Sequence, residues 1–212
     1  MHPALGLLIA YLLGSVPSAY LAGRVWKGVD LRTVGSGNLG ATNVYRALGV
    51  RAALVVLALD AAKGAVPVFF LPRLLLSGGA PGAAEPWWAL AYGGAAIVGH
   101  AKPVFLLWRG GGKGVATAAG MFGVLAPVPL ACTAALCAAV VWYSGYMSLG
   151  SVVAAILFPL LVWLEGGVAP TFWASLLVGA FVVWSHRSNL RRLRAGTEHP
   201  LFPKRHGTER EP

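Results

Sequence analysis

The order of apolar and polar residues divides the chain into long hydrophobic runs separated by short polar segments. An α-helix of about 20 apolar residues is long enough to cross a bilayer. Runs near this length predict membrane-spanning helices at residues 4–21, 52–71, 87–107, 148–164 and 171–184, with a longer run at 114–142. The pattern therefore predicts an all-α, polytopic membrane protein.

The run at 114–142 is too long for one straight span. Its roughly 29 residues would rise about 43 Å, whereas the hydrocarbon core is about 30 Å thick. Pro127 and Pro129 interrupt the run. It is therefore either one kinked helix or two shorter spans, of about 13 to 16 residues each, joined by a turn near Ala126 and Pro127.

The distribution of positive charge decides between these alternatives. Residues 24–51 carry five basic side chains and the tail at 187–212 carries seven. Both segments are expected to be cytoplasmic, so an even number of crossings must separate them. The split run satisfies this parity and gives about seven transmembrane helices, with the N-terminus outside, the C-terminus in the cytoplasm, and residues 73–86 and 165–170 outside. No Lys or Arg precedes Arg24, which disfavours the alternative that the first run is a cleaved signal peptide.

Composition agrees with this architecture. The chain is 57% hydrophobic and 11% charged, against about 25% charged residues in soluble domains. We therefore expect a single membrane domain over residues 1–212, with a short basic cytoplasmic tail at about 187–212. The net charge of +10 fits the positive-inside pattern better than nucleic-acid binding, because no nucleic-acid motif accompanies it.

The polar loop at residues 35–43 is rich in glycine and hydrogen-bonding side chains. Its candidate donors are Ser36, Asn38, Thr42 and Asn43, and Arg46 follows shortly after. Glycine lets the backbone approach a ligand, and arginine offers a planar fork of donors to an anion. A polar turn between helices is the alternative, but the density of donors favours an anion site.

A second loop combines three consecutive glycines with a lysine. Gly111, Gly112, Lys113 and Gly114 lead directly into a predicted helix, an arrangement that suits phosphate because backbone amides, a helix N-terminus and a cation converge. The spacing is not that of a P-loop, since Leu107 stands where that motif has glycine. The alternative is a flexible hairpin whose cations only follow the positive-inside rule.

Other polar residues lie inside or at the ends of the apolar runs. Asp60 and Lys63 are three residues apart, which favours a buried structural pair over a proton relay. His100 is at the end of the third run, where a packed histidine is commoner than a ligand. His186 and Asn189 share one helical face at the start of the tail.

Both candidate anion loops and the histidine–asparagine pair are predicted on the cytoplasmic face. This arrangement indicates a phosphate-bearing substrate, and the membrane location indicates a lipid partner. The sequence contains no Cys/His nucleophile pair, zinc-binding His-Glu-x-x-His or Asp-x-x-Asp spacing. If the protein is an enzyme, we therefore expect it to need no cofactor, metal or covalent intermediate. A transporter for a phosphorylated metabolite and a structural scaffold are the alternative classes.

Three segments together resemble a known family. They are Ser36 to Asn43 with Arg46; Gly99 and His100 with Gly111 to Thr117; and His186, Arg187 and Asn189 with Gly196 and Glu198. In this order they resemble the bacterial acyl-phosphate:glycerol-3-phosphate acyltransferase family, the PlsY type. The resemblance extends over nearly the whole chain and includes Asp60, Lys63, Ser148 and Ser151.

The resemblance implies that the protein lies in the bacterial inner membrane and acylates the 1-hydroxyl of glycerol 3-phosphate. Fatty acyl phosphate is the implied donor, lysophosphatidic acid and inorganic phosphate are the implied products, and nucleic acid is not an expected partner. The implied catalytic residues are Ser36, Arg46, Lys113, His186 and Asn189. The implied substrate-binding residues are Asn38, Thr42, Asn43, His100, Gly111, Gly112, Gly114, Ser148, Ser151 and Glu198.

Within this set, Lys113 and the glycine loop are assigned to phosphate binding. Arg46, Ser36, Asn189 and His186 are assigned to glycerol 3-phosphate. Ser148 or Ser151 completes the site, and Glu198 is expected to organise the tail through an arginine. The proton acceptor is left open between His186 and a substrate phosphate.

Overall fold

The computed structural model describes residues 3–76, 85–166 and 169–202, and within these ranges all regular structure is helical. The predicted all-α architecture is therefore confirmed. A single 3-10 turn, Val104–Leu106, accompanies the α-helices of the described ranges. These are α1 (Pro3–Ser15), α2 (Ser18–Lys27), α3 (Ala41–Leu48), α4 (Val50–Leu76), α5 (Glu85–Ala101), α6 (Val115–Leu125), α7 (Pro127–Ser144), α8 (Met147–Leu164), α9 (Ala169–Ser185) and α10 (Arg187–Arg194).

Several of these helices are long and apolar enough to cross a membrane. Helices α9 and α10 are bent by 53° relative to each other and form one further span if taken together, whereas α6 is apolar but has only 11 residues. The protein is thus a multi-pass membrane protein, and the count of seven spans stays a prediction. In the described part of the chain the four full-length candidates are Pro3–Lys27, Val50–Leu75, Pro127–Ser144 and Met147–Leu164.

The predicted break in the long central run is confirmed. Helix α6 ends before Ala126, which leaves helical geometry with φ −150°, and α7 begins at Pro127. Proline suits the first position of a helix because an N–H at that position would have no intrahelical acceptor, so its absence costs nothing. The two parts are unequal, however, with 11 and 18 residues, so the prediction of two similarly short helices was wrong for α7.

The second span, predicted over residues 52–71, is longer than expected, because α4 continues to Leu76. Two other predicted spans are interrupted near a proline. The third span was predicted to reach residue 107, but α5 ends at Ala101 and Pro103 is extended. The first span was predicted as one helix over residues 4–21. It breaks at Pro17 and then continues as α2 to Lys27. Proline lacks the N–H that a helix interior requires and disfavours helical geometry in the residue before it.

Two segments predicted as connections contain helices. Helix α3 lies within the basic segment at residues 24–51, and α10 forms the start of the predicted tail. Parts of the predicted external connections, residues 77–84 and 167–168, lie outside the described residues. The same holds for residues 203–212, which include three of the seven basic side chains predicted in the tail.

Glycine allows the helices that frame the site to approach each other closely. A Cβ atom at Gly64 of α4 would overlap the carbonyl oxygen of Thr117, and one at Gly120 of α6 would overlap that of Ala61. Backbone contact of this kind is typical of helix packing in membranes, where small residues lie at the interface. Helix α6 is therefore held against the middle of α4.

Apolar side chains cover much of the outer surface. Leu54, Trp163 and Leu177 are more than half exposed in the isolated chain, as expected for positions that face lipid rather than water. Inside, the rings of Phe122 and Phe158 pack with centroids 4.6 Å apart. The buried interior therefore links α6 to α8, and the functional site lies at the N-terminal ends of these two helices.

Candidate active site

A cavity of about 350 Å³ opens among the ends of α3, α4, α6, α8 and α10 and the segment after α10. It brings together residues that are far apart in the sequence. All of the site residues predicted from the sequence line it except Gly111 and Gly112. Those that line it are Ser36, Asn38, Thr42, Asn43, Arg46, His100, Lys113, Gly114, Ser148, Ser151, His186, Asn189 and Glu198.

The first polar loop is held in shape by the buried side chain of Asn43. Its Oδ1 accepts the Ser36 N–H at 3.1 Å, while its Nδ2 donates to the carbonyls of Leu31 and Val34 at 3.2 and 3.0 Å. Because the amide makes three bonds to residues 31–36, Asn43 holds the start of the loop in place, and Ser36, Asn38 and Thr42 line the cavity beside it.

The glycine loop is bonded to its neighbours rather than open. The Gly111 carbonyl accepts the Leu39 N–H at 3.1 Å, and the Gly112 N–H donates to the His100 carbonyl at 3.1 Å. The Gly112 amide is therefore occupied and not available to a phosphate, which differs from the role expected for this residue. The cavity is lined instead by Gly114, at φ 81°, and by the first residues of α6.

Arg32 braces the two loops from the outside. Its guanidinium bonds Asp30 at 2.6 Å and reaches the Arg109 carbonyl at 3.4 Å. The hydrogen bond from Arg32 lowers the pKa of Asp30 to about 2, so this pair stays ionised throughout the neutral range. The first loop and the glycine loop therefore form one connected unit.

Lys113 projects from the glycine loop into the cavity, close to the N-terminus of α6. Its Nζ donates to Asn189 Oδ1 at 2.5 Å. Burial lowers the pKa of Lys113 to about 8, and the cations Arg192 and Arg46 act in the same direction against the opposing effect of Glu198. The amine is thus charged at neutral pH and close to its titration range.

Arg46 lies on α3 and contacts the chain after α10. Its Nη2 donates to the His199 carbonyl at 2.8 Å, and the Leu201 N–H bonds the Gly145 carbonyl at 2.6 Å. Burial lowers the pKa of Arg46 from its usual value, but an arginine remains charged in any biochemical assay. Residues 199–201 therefore fasten α3 to the turn between α7 and α8.

His186 and Asn189 enter the cavity at the bend between α9 and α10. His186 Nδ1 is 2.8 Å from the Val182 carbonyl oxygen, so this nitrogen donates and Nε2 carries the lone pair in the neutral ring. Asn189 Nδ2 donates to Glu198 Oε1 at 2.7 Å while its Oδ1 accepts from Lys113. The predicted pair is thus brought together with Lys113.

Glu198 ties the end of the chain to the cavity. Ser148 Oγ donates to Oε1 at 3.1 Å, and Arg192 Nε forms an ion pair with Oε2 at 2.7 Å. Burial alone would raise the pKa of Glu198, but the bonds from Asn189, Arg192 and Ser148 lower it. Both oxygens are occupied, and Arg192 is one of the partners; the organising role expected for Glu198 stays a prediction. The Ser151 hydroxyl bonds the Met147 carbonyl at 2.9 Å.

Asp60 forms the predicted pair with Lys63, deep between the helices. The two charged atoms are 2.8 Å apart, an ion-pair distance that does not meet hydrogen-bond geometry. Asp60 and Glu198, the carboxylates that line the cavity, are thus each paired with a cation. Lys113 and Arg46 face no carboxylate at ion-pair distance in the described part of the chain. The cavity accordingly offers two cations to anionic ligands.

An apolar wall adjoins these polar groups, and it was not predicted from the sequence. Val50, Ala53, Leu54 and Leu57 line the cavity from α4, and Ala119 lines it from α6. The α4 residues recur every three or four positions and end at Asp60, a helical face that the sequence pattern contains. Leu54 is 59% exposed, so this wall continues from the polar site to the lipid-facing surface.

The described residues contain no group of three or more His, Cys, Asp or Glu side chains that could hold a metal ion. Cys132 and Cys137 are free thiols on α7. Neither cysteine lines the cavity.

Comparison with known proteins agrees with this geometry. A family model described as glycerol-3-phosphate acyltransferase matches residues 4–196. The chain is 49% identical over 199 residues to the glycerol-3-phosphate acyltransferase of Parasynechococcus marenigrum, covering 93% of this chain and 89% of that protein. It is 43% identical over 190 residues to that of Geotalea daltonii, covering 90% and 93%.

The structure is similar to crystal structures of PlsY (YgiH), an integral membrane glycerol 3-phosphate acyltransferase. The glycerol 3-phosphate form matches with a TM-score of 0.82 and 35% identity, covering 95% of this chain and 96% of that one. The form described as containing lysphosphatidic acid matches with a TM-score of 0.81 and 34% identity, covering 93% and 94%. The family match and these similarities together show that the chain belongs to the glycerol-3-phosphate acyltransferase family.

Proposed function

We propose that this membrane enzyme transfers a fatty acyl group from acyl phosphate to the 1-hydroxyl of glycerol 3-phosphate. The products are 1-acyl-glycerol 3-phosphate, which is lysophosphatidic acid, and inorganic phosphate. Membership in an acyltransferase family favours this reaction over transport of a phosphorylated metabolite. The solved relatives described as glycerol 3-phosphate and lysphosphatidic acid forms support the acceptor and the product.

One feature of the cavity supports this choice of substrates. In the cavity, Lys113 and Arg46 form no ion pair with a carboxylate of the described residues, and both adjoin an apolar wall that reaches the lipid-facing surface. A reaction between two phosphate-bearing molecules, one of which has an acyl chain, uses all three features. In acyl phosphate the acyl chain is attached directly to the phosphate, which suits a cavity whose cations and apolar wall adjoin.

The donor phosphate is assigned to Lys113 and the N-terminus of α6. An ammonium group and the helix dipole both stabilise negative charge at this point. The acyl chain then follows the α4 wall from Leu57 towards Leu54 and the membrane. Because the wall is open to lipid, the chain needs no fully enclosed tunnel.

Glycerol 3-phosphate is assigned to Arg46, with Ser36, Asn189 and His186 completing its site. Its 1-hydroxyl attacks the carbonyl carbon of the donor, and the bond between that carbon and the phosphate oxygen breaks. The cations stabilise the negative charge that develops, and binding holds the reacting atoms at short range. The hydroxyl proton leaves to His186 Nε2 or to a substrate phosphate.

The experiment compares acyl donors for the purified protein in detergent. Radiolabelled glycerol 3-phosphate is supplied with palmitoyl phosphate, palmitoyl-CoA or palmitoyl-acyl carrier protein. We expect lysophosphatidic acid from palmitoyl phosphate without coenzyme A, and loss of that product in Lys113→Ala. Product formation from a thioester donor but not from palmitoyl phosphate would overturn the proposed donor.

A further inference from the structure

His100, the penultimate residue of α5, lies directly beneath the glycine loop. It is 6% exposed, and its carbonyl accepts the Gly112 N–H at 3.1 Å. A Cβ atom at Gly112 would overlap Nε2 of the His100 ring. The loop therefore rests on the imidazole edge, with no room between them for a side chain.

The opposite edge of the same ring faces a charged group between the helices. His100 Nδ1 is 3.7 Å from Asp60 Oδ1, and Asp60 is 1% exposed. The same carboxylate pairs with Lys63, whose Nζ donates to the Val16 carbonyl at 3.1 Å, where the first span breaks. The ring thus lies between a buried carboxylate and the loop, at the wall of the cavity.

The position of this ring has a consequence for Lys113, which follows Gly112 in the chain. Lys113 Nζ donates to Asn189 Oδ1 at 2.5 Å, and Gly114 is the N-cap of α6. A displacement of Gly112 would shift both the amine and the first amides of the helix. Nε2 of His100 faces Gly112, and the proposed reaction assigns the proton to His186 or to a substrate phosphate instead.

We propose that His100 is a positioning residue. Its ring contacts the glycine loop at Gly112 and fixes the position of the loop, and thereby the position of Lys113 in the phosphate site. This inference rests on the proposed function for its kinetic consequence. It assigns His100 a role through the loop rather than through contact with substrate. It also gives a steric reason for glycine at position 112, because an added Cβ atom would overlap the His100 ring although Gly112 does not line the cavity.

A double-mutant cycle tests the proposal with wild type, His100→Ala, Gly112→Ala and the double variant. A displacement of about 1 Å can cost about a hundredfold in rate, so we expect Gly112→Ala to lower kcat/KM by about that factor. His100→Ala removes the support and should cost about tenfold or more. In the His100→Ala background the new methyl group has room, so Gly112→Ala should cost less than about threefold.

The control is Gly94→Ala on the same helix, where an added Cβ atom meets nothing within 4 Å. This variant should keep wild-type kinetics. His100→Gln, whose amide can reach the place of Nε2, should recover part of the activity lost in His100→Ala. An equal cost of Gly112→Ala in both backgrounds, or wild-type kinetics in His100→Ala, would overturn the positioning role.

A second measurement does not depend on turnover. The rate at which an amine-reactive reagent labels Lys113 is followed by proteolysis and mass spectrometry. Release of the loop in His100→Ala should raise this rate several-fold, while Gly94→Ala should leave it unchanged. An unchanged rate in His100→Ala contradicts the positioning role, whereas a wild-type protein without acyltransferase activity contradicts the proposed function.

Discussion

The charge of Lys113 should control the pH dependence of the enzyme. Burial holds the pKa of this amine at about 8 in the free protein, and only the protonated form offers a cation to phosphate. Below pH 8 the ammonium form dominates, and as the pH rises through 8 it is lost. The profile of kcat/KM, which reports on free enzyme, should therefore fall on its basic side with a midpoint near pH 8.

The size of the effect follows from the titration. With a pKa of about 8, about nine-tenths of the amines are charged at pH 7 and about one-tenth at pH 9. If neutral Lys113 is inactive, kcat/KM should drop roughly tenfold from its plateau by pH 9. A bound phosphate stabilises the ammonium form, so the corresponding fall in kcat should occur at higher pH.

The assay measures initial rates with palmitoyl phosphate between pH 6.5 and 9.5, with the spontaneous hydrolysis of the donor subtracted. Lys113→Arg is the matched variant, since arginine stays charged across this range. It should have a lower plateau, because the guanidinium does not reproduce the ammonium contact with Asn189, but no basic limb near pH 8. A wild-type profile that is flat to pH 9.5, or an unchanged limb in Lys113→Arg, would refute the reasoning.

Three further predictions concern the other parts of the molecule. His186→Gln should raise KM for glycerol 3-phosphate and keep part of kcat, since glutamine can still donate a hydrogen bond; unchanged KM with kcat lowered about a thousandfold would instead identify His186 as the base. Gly120→Ala should destabilise the fold by about 1 to 3 kcal/mol in thermal unfolding, because its Cβ atom would overlap the Ala61 carbonyl, whereas Gly94→Ala should leave the stability unchanged or raise it, since alanine is favoured over glycine inside a helix. Reporter fusions should place Pro127 outside and the C-terminus in the cytoplasm, and a C-terminal reporter active only outside would contradict this topology.

The sequence predicted the architecture well where a single physical rule applied. Apolar length predicted a multi-pass helical protein, and charge parity with Pro127 predicted the break at Ala126. The breaks at Pro17 and Pro103 were missed because each lies within a long, mostly apolar run that continues beyond the proline. Proline removes one helical N–H, but α4 continues through Pro67 and Pro72 and α8 through Pro159, so a proline alone does not predict where a helix ends.

The site was predictable by residue type but not by contact. Ser36, Arg46, Lys113, His186 and Asn189 do meet at one cavity. The sequence could not show whether a glycine amide faces a ligand or a neighbouring carbonyl, and the Gly112 amide bonds His100. The density of donors in the sequence likewise could not predict that Asn43 bonds residues 31–36 of its own segment.

The apolar wall shows the converse limitation. Its residues on α4 follow helical spacing, but so do core and lipid-facing positions in any membrane helix. Only the arrangement of α4 beside α6 shows that this face adjoins Lys113 and the start of α6. The sequence pattern therefore could not identify this face of α4 as part of the site, because its place beside α6 is known only from the structure.

The most direct test of the proposed reaction follows the oxygen of the attacking hydroxyl. Glycerol 3-phosphate labelled with ¹⁸O in its 1-hydroxyl is converted with palmitoyl phosphate by the purified protein, and both products are analysed by mass spectrometry. Attack of the hydroxyl on the carbonyl carbon predicts ¹⁸O in the ester of lysophosphatidic acid and none in the released phosphate. Transfer of ¹⁸O to a phosphate group, or an unlabelled ester, would contradict the account.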